Sequence, residues 1–147
     1  EVSSHLYCPE LKTKQQIGKY IDLTIKGMQS GLYDFLAHPD LFMKGYMEWD
    51  ADSKAWLTAI LDTAVDLQMP LEINGLGIMR EPNHTSRGIR YQYPYDEFWE
   101  LVAERNVPVL CNADAHNYKD VIKGALLSRE YAAKYNITPL EKLNLKK

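Results

Sequence analysis

Three short apolar segments, residues 33–37, 70–73 and 107–111, alternate along this chain with stretches whose apolar side chains recur at helical spacing. Segments this short and mostly apolar read as buried strands of a parallel sheet rather than as half-exposed strands. Ahead of the first, Ile17, Tyr20, Ile21, Thr24, Ile25 and Met28 form one stripe of a helix over 15–28, which Ser30-Gly31 stops. Trp56, Ile60, Ala64 and Leu67 place a second helix at 52–68. Pro94 and the acidic pair Asp96-Glu97 open a third over 94–105, with negative charge in the first turn where unpaired amides favour it. Asp120 caps a fourth over 120–134. The order predicts an α/β fold, parallel strands alternating with helices, in which the loops leaving the carboxyl ends of the strands form the active face.

Between the second and third apolar segments, residues 75–93 show no periodicity. A connection that long in a small domain is functional or disordered. Residues 1–13 read as a connecting segment and 136–147 as a polar tail. At 147 residues the chain is long enough for one domain with one core. Its net charge of -3 arises from scattered acidic and basic residues, which gives little electrostatic support for binding nucleic acid or an anionic membrane. No apolar run reaches membrane-spanning length. Cys8 and Cys111 are far apart and in unlike contexts, forming neither a disulfide framework nor a CxxC pair, so a reducing, cytoplasmic setting is the simpler expectation. The chain opens at Glu1 in a polar stretch, as a processed product or a piece of a longer protein would.

Chemistry-bearing residues sit at the ends of the apolar segments. His38 follows the first, Glu72 and Asn74 mark the end of the second, and Asp114 and His116 follow the third. In Asp114-Ala115-His116, side chains two apart on extended backbone leave on the same side, so a carboxylate and an imidazole can reach metals on one face. This N and O donor set suits Zn, Fe or Mn, and no nearby thiolate indicates a sulfur-ligated zinc. A bare DxH is nonetheless common by chance, and His38-Pro39-Asp40 reads equally well as a ligand or as a histidine capping a turn. Asp40 either orients an imidazole or caps the next segment.

Glu72 interrupts an apolar strand, where an unpaired carboxylate is costly; binding a metal, holding an arginine and facing solvent are its three readings. Asn74-Gly75 reads as pocket lining or simply as a turn. Arg80, Arg87 and Arg90 are candidates for a phosphate clamp, because the planar guanidinium fork matches phosphate oxygens, with solvated loop charges as the plainer alternative. His5 and His84 have no supporting pattern. Cys111 ends a buried strand and reads as core.

Taken together, residues 31–40 with His38-Pro39-Asp40, Leu71-Glu72-Ile73-Asn74 with Gly77 and Arg80, Tyr93-Pro94, and Asp114-Ala115-His116 resemble the polymerase-and-histidinol-phosphatase superfamily, in its histidinol-phosphatase-like branch. The resemblance covers roughly residues 15–130, and the ordered series is far more specific than any one piece. It implies a distorted seven-stranded β/α barrel, of which this chain is the carboxyl-terminal part, with two or three divalent ions (Zn, Fe or Mn) at the rim. It also implies metal ligation by His38, Asp114 and His116 and a substrate pocket lined by Glu72, Asn74 and Arg80; Arg90 is a further substrate-binding candidate, as a helper of Arg80 on the phosphate oxygens.

The implied reaction is hydrolysis of a phosphate monoester by a metal-activated hydroxide, with histidinol phosphate the leading substrate. Nucleotide or phosphotyrosine phosphatases and phosphodiesterases of the same superfamily are alternatives, as is a non-catalytic binding or assembly module. Members of the family begin with an HxH pair, which this sequence does not contain. The expected partners are therefore a small phosphorylated metabolite and the amino-terminal part of the same domain, with an oligomer as a further possibility. Alone, the chain is expected to be a poor catalyst with open sheet edges.

Overall fold

The caps decide where each helix begins. In the computed structural model, which describes residues 8–85, 88–143 and 145, helix α1 spans Lys14–Gln29. Thr13 accepts the Gln16 N–H and the Gln16 side chain reaches back to the Thr13 N–H, so two otherwise orphaned donors are satisfied reciprocally. Ile17, Ile21 and Met28 are its buried stripe, and Gly31, at φ 75°, turns the chain away after Ser30. Helix α2 spans Ala51–Leu67 behind a second capping box, Asp50 with Ser53, and ends at Gln68 in the left-handed region. Its buried residues are Ser53, Leu57, Ile60, Leu61 and Ala64, so its inward face is turned from the expected Trp56–Leu67 stripe, and Leu67 is exposed.

Strand β1 is Leu71–Asn74, followed at once by the short helix α3, Gly75–Met79. Strands β2, Asn83–Thr85, and β3, Gly88–Arg90, pair antiparallel. Helix α4 is Asp96–Ala103, β4 is Val109–Asn112, and helix α5 is Val121–Lys134. The stretch read as an unstructured loop, 75–93, therefore holds a helix and a hairpin. Both are too short to leave a periodic signature. Helix α4 starts two residues later than expected, because Pro94 precedes rather than opens it. Asp120 makes no side-chain cap; the Asn117 side chain instead accepts the Lys119 N–H one turn earlier.

The fold is mixed α/β with a small parallel sheet. Strands β1 and β4 pair from Leu71↔Val109 to Asn74↔Asn112. Segment 33–37, expected as a strand, contributes only one parallel bridge, Leu36 to Leu71: the Leu36 N–H donates to Pro70 O at 2.9 Å and the Glu72 N–H to Leu36 O at 3.1 Å. The pairing is this brief because Leu32 and Tyr33 lie exposed on one side and His38 turns the chain at φ 31° on the other. Leu36, β1 and β4 thus lie side by side in chain order, each directed with its carboxyl end to the same rim. From the segment read as a tail, Leu140 N–H donates to Val109 O at 2.7 Å, so residues up to 143 fold back on the sheet; residues 1–7 of the expected connecting segment lie outside the described residues.

Phe42, Leu57, Ile60, Leu71, Ile73, Phe98 and Trp99 are fully enclosed in one core between the sheet and α1, α2 and α4. Two polar ties join the elements around it, a buried one at Asp40 and a half-buried one at Asp96. Asp40 Oδ2 accepts the Tyr95 N–H at 2.6 Å and the Trp99 Nε1–H at 3.0 Å, so its carboxylate anchors α4 rather than an imidazole or a cap. Burial pushes this carboxyl up to about 6 even with both donors in place. Asp96 Oδ1 accepts from the Tyr131 and Tyr135 hydroxyls, each at 2.7 Å, joining the carboxyl end of α5 to the start of α4.

The other end of α5 lies against α3 with no side chain between them: a Cβ on Gly75 would stand 2.2 Å from Gly124 O. Gly75→Ala must push the helices apart and is expected to cost about 1–3 kcal/mol in urea unfolding. Gly18→Ala, with nothing within 4 Å of the added carbon in the middle of α1, is expected to stabilise by about 0.5–1 kcal/mol.

Asp50 supports a second prediction. Its carboxylate accepts the Ser53 N–H at 2.9 Å and a short bond from Tyr46 Oη, and these hold its pKa down at about 2 from 3.8. A depressed pKa in the folded state means the cap contributes above about pH 4 and is lost as the pH falls toward 2. The stability difference between wild type and Asp50→Ala is expected to be constant from pH 5 to 7 and to shrink across that acid window.

Candidate functional site

The rim is organised around a buried carboxylate. Glu72 points from β1 at 2 % exposure. Its Oε2 accepts the His38 N–H at 2.9 Å and one Asn74 Nδ2–H at 3.1 Å, while Oε1 accepts the Asn112 Nδ2–H at 2.9 Å. Each of the three parallel segments is therefore tied to the same side chain. Asn74 extends the network: its other Nδ2–H reaches Asp114 Oδ2 at 3.0 Å and its Oδ1 accepts the Gly77 N–H at 3.2 Å, capping α3. The opposite amide orientation would set an oxygen against two carboxylates, so the network itself fixes the side chain.

Two of the expected ligands stand on backbone that L-residues seldom adopt. His38 has φ 31° and Asp114 φ 47°. Such conformations persist where the surroundings over-determine them. Here the His38 amide is held by Glu72 and the Asp114 carboxylate by Asn74, so the network that ties the strands also holds both turns.

The imidazoles differ in state. His116 Nδ1 lies 2.9 Å from Asp114 O. A carbonyl only accepts, so Nδ1 carries a proton, and in the neutral ring the lone pair lies on Nε2 of an exposed side chain. This is the arrangement by which a metal-ligating histidine is oriented through its second nitrogen. His38 Nδ1 is buried with no hydrogen-bond partner among the described residues, and its ring meets Tyr93 edge-on at 6.2 Å and 75°. An orphaned ring nitrogen and an exposed one beside a carboxylate fit part of a divalent-metal ligand set. They do not make a whole one: among the described residues no three His, Cys, Asp or Glu side chains converge to hold an ion.

The expected substrate residues separate. Glu72 and Asn74 are buried with their polar atoms committed to the protein, and they shape the rim from beneath it. Arg80 is exposed; its Nε–H donates to Tyr93 Oη at 3.3 Å, leaving the two Nη groups without a bond among the described residues. Arg90 is occupied. Its Nη1 donates to Tyr91 O and Gln92 O, its Nη2 to Met43 O, and the guanidinium lies 3.9 Å from the centre of the Tyr95 ring, with burial lowering its pKa. His5 and Arg87 lie outside the described residues.

His84 is exposed on β2 and, with Trp49, Arg90, Tyr95 and Glu100, lines a cavity of about 480 Å³ that none of His38, Asp114, His116 or Arg80 reaches. Cys111 is half-buried with Sγ 3.3 Å from Ser128 O, and burial raises its thiol pKa, which leaves it an inert packing group. No helix among the described residues is long and apolar enough to cross a membrane.

Asn112 is a rim residue that its residue type alone does not mark; the available signal is a second asparagine ending an apolar segment, which the register places directly opposite Asn74. Comparison with known proteins found no matching family model, curated protein or solved structure.

Because three N–H groups converge on Glu72, an isosteric amide cannot replace it: one end of Gln would face a donor with a donor. Glu72→Gln is expected to lose about 1–3 kcal/mol of stability. It is also expected to unfasten both turns, seen as chemical-shift changes at the His38 and Asp114 amides. A substitution that leaves stability and both amides unchanged would show that the carboxylate does not organise the rim.

Proposed function

We propose that this chain is the carboxyl-terminal part of a polymerase-and-histidinol-phosphatase metallohydrolase domain, and that the complete domain hydrolyses a small phosphate monoester, with histidinol phosphate the first substrate to test. The observation that carries this reading is the arrangement of two imidazoles and Asp114 at the rim. In its neutral form His116 carries its proton on Nδ1, toward Asp114 O, which leaves the Nε2 lone pair available, and His38 Nδ1 has no hydrogen-bond partner among the described residues. They stand after the carboxyl ends of the two parallel segments that flank β1, where α/β folds place their sites.

In this reading His38, Asp114 and His116 hold part of a cluster of Zn, Fe or Mn ions, and the rest of a distorted seven-stranded barrel supplies the remaining ligands. Ions held there would supply a lowered pKa for water and neutralisation of charge developing at phosphorus. The chain's own residues then have distinct duties. Arg80 offers two Nη groups, unpaired among the described residues, to the non-bridging oxygens. Glu72 and Asn74 keep the His38 and Asp114 turns in place. Arg90 braces the wall through Met43 and Tyr95 rather than meeting the substrate. A net charge of -3 suits a small metabolite better than long nucleic acid.

A second reading, a binding or assembly module without catalysis, is favoured by the missing HxH pair and by the lack of a three-ligand cluster among the described residues.

Metal content decides between them. Elemental analysis of protein purified without chelator is expected to find two or three equivalents of Zn, Fe or Mn in the longest native form and fewer in this chain alone. In that form, His38→Ala, Asp114→Asn and His116→Ala are each expected to lower metal content and to reduce histidinol-phosphate hydrolysis by roughly 10–100-fold or more. A native form that retains no metal under replete conditions would leave the assembly module as the surviving interpretation.

A further inference from the structure

We infer that Tyr93 is a positioning residue that aims the Arg80 guanidinium across the rim; this rests on the phosphate-monoester reading above and adds to it a residue with no role there. Tyr93 is 3 % exposed, yet its hydroxyl reaches the Nε–H of an exposed arginine at 3.3 Å. Its ring stands edge-on to His38, and its backbone and ring lie flush against α3, where a Cβ on Gly77 would come within 2.2 Å of Tyr93 O and 2.4 Å of Cδ2. The side chain therefore touches three parts of the rim at once: the turn that carries His38, the helix that Asn74 caps, and the arginine that follows that helix.

The geometry matters because of what a guanidinium offers. Its five N–H donors lie in one plane, and the two faces best suited to an oxyanion are the Nη1–Nη2 edge and the Nη–Nε edge. A bond from Nε to a buried hydroxyl removes the second and leaves the first. It also restrains a long side chain that would otherwise sample many rotamers, so that less freedom remains to be lost when an anion binds. Arg80 is thereby set apart from Arg90, whose fork is filled by carbonyl oxygens. The ring and the hydroxyl have separable duties: the ring packs against His38 and Gly77, and the hydroxyl aims Arg80.

Tyr93→Phe separates them. Inorganic phosphate binding is measured by calorimetry on the native full-length protein with its metals, for wild type, Tyr93→Phe and Arg80→Lys, with the exchange rate of the Arg80 Nε–H followed by NMR. Tyr93→Phe is expected to weaken phosphate roughly 3–10-fold and to speed Nε–H exchange, with metal content and melting temperature unchanged; Arg80→Lys is expected to weaken it further. Retained phosphate affinity in Tyr93→Phe beside a loss in Arg80→Lys would overturn the role of Tyr93 while leaving the phosphatase reading intact. A wild type that binds no phosphate, or an Arg80→Lys that binds it undiminished, would remove the anion site itself and this inference with it. If Tyr93→Phe does not fold, the wild type still decides: an Arg80 Nε–H protected from exchange before phosphate is added supports the restraint, and an unprotected one overturns it.

Discussion

One buried carboxylate holds the working end of this fold together. A parallel sheet of only two strands and a bridge has little ladder bonding of its own, and its segments are joined by long connections instead of tight turns. Glu72 compensates by accepting from a backbone amide on one neighbour and side-chain amides on its own strand and the other. Hydrogen bonds to an ionised acceptor in a site closed to water are stronger than neutral ones, and leaving any of the three donors unmade is costly. The arrangement therefore behaves as a unit.

What depends on it is conformation as much as stability. His38 and Asp114 occupy left-handed backbone, and each is held by one member of the network. The farther ties are of a different kind. Asp40 joins the turn after His38 to Tyr95 and Trp99, Asp96 joins α4 to the tyrosines of α5, and the Gly75–Gly124 contact lets α5 lie directly on α3. Acidic side chains serve at two of these points: Asp40 is buried among amide and indole donors, whereas Asp96 is half-buried and accepts from two phenols and from Lys134 Nζ at 3.2 Å. At Asp40 direction is fixed by hydrogen bonds rather than by the less directional attraction of a salt bridge.

Arg80 and Arg90 show how alike two residues can be in sequence and how different in space. Both lie in the same aperiodic stretch and both suit a phosphate equally well on chemical grounds. The hairpin turns Arg90 back over Tyr95 and into three carbonyl oxygens, whereas α3 ends so that Arg80 stands at the surface with one nitrogen restrained by Tyr93. Spacing along the chain carries no information on which of two nearby guanidinium groups remains available, because the competing acceptors come from Met43 and from the backbone around Tyr91.

The sequence by itself determined the four longer helices and their alternation with apolar segments, because caps, glycines and periodicity act over a few residues: Thr13, Asp50 and Gly31 do locally what their side chains, or lack of one, dictate, whereas the five residues of α3 are too few to show a period. It also marked His38, Asp114 and His116 as rim residues, since each directly follows an apolar run. Only the tertiary structure decided what Glu72 does, that residues 33–37 pair at a single position, that Asp40 serves α4, and which arginine faces outward. In each case the deciding partner lies far along the chain, 34 and 40 residues away for the two longest bonds to Glu72, and such pairings are chosen by packing the whole core rather than by any local preference.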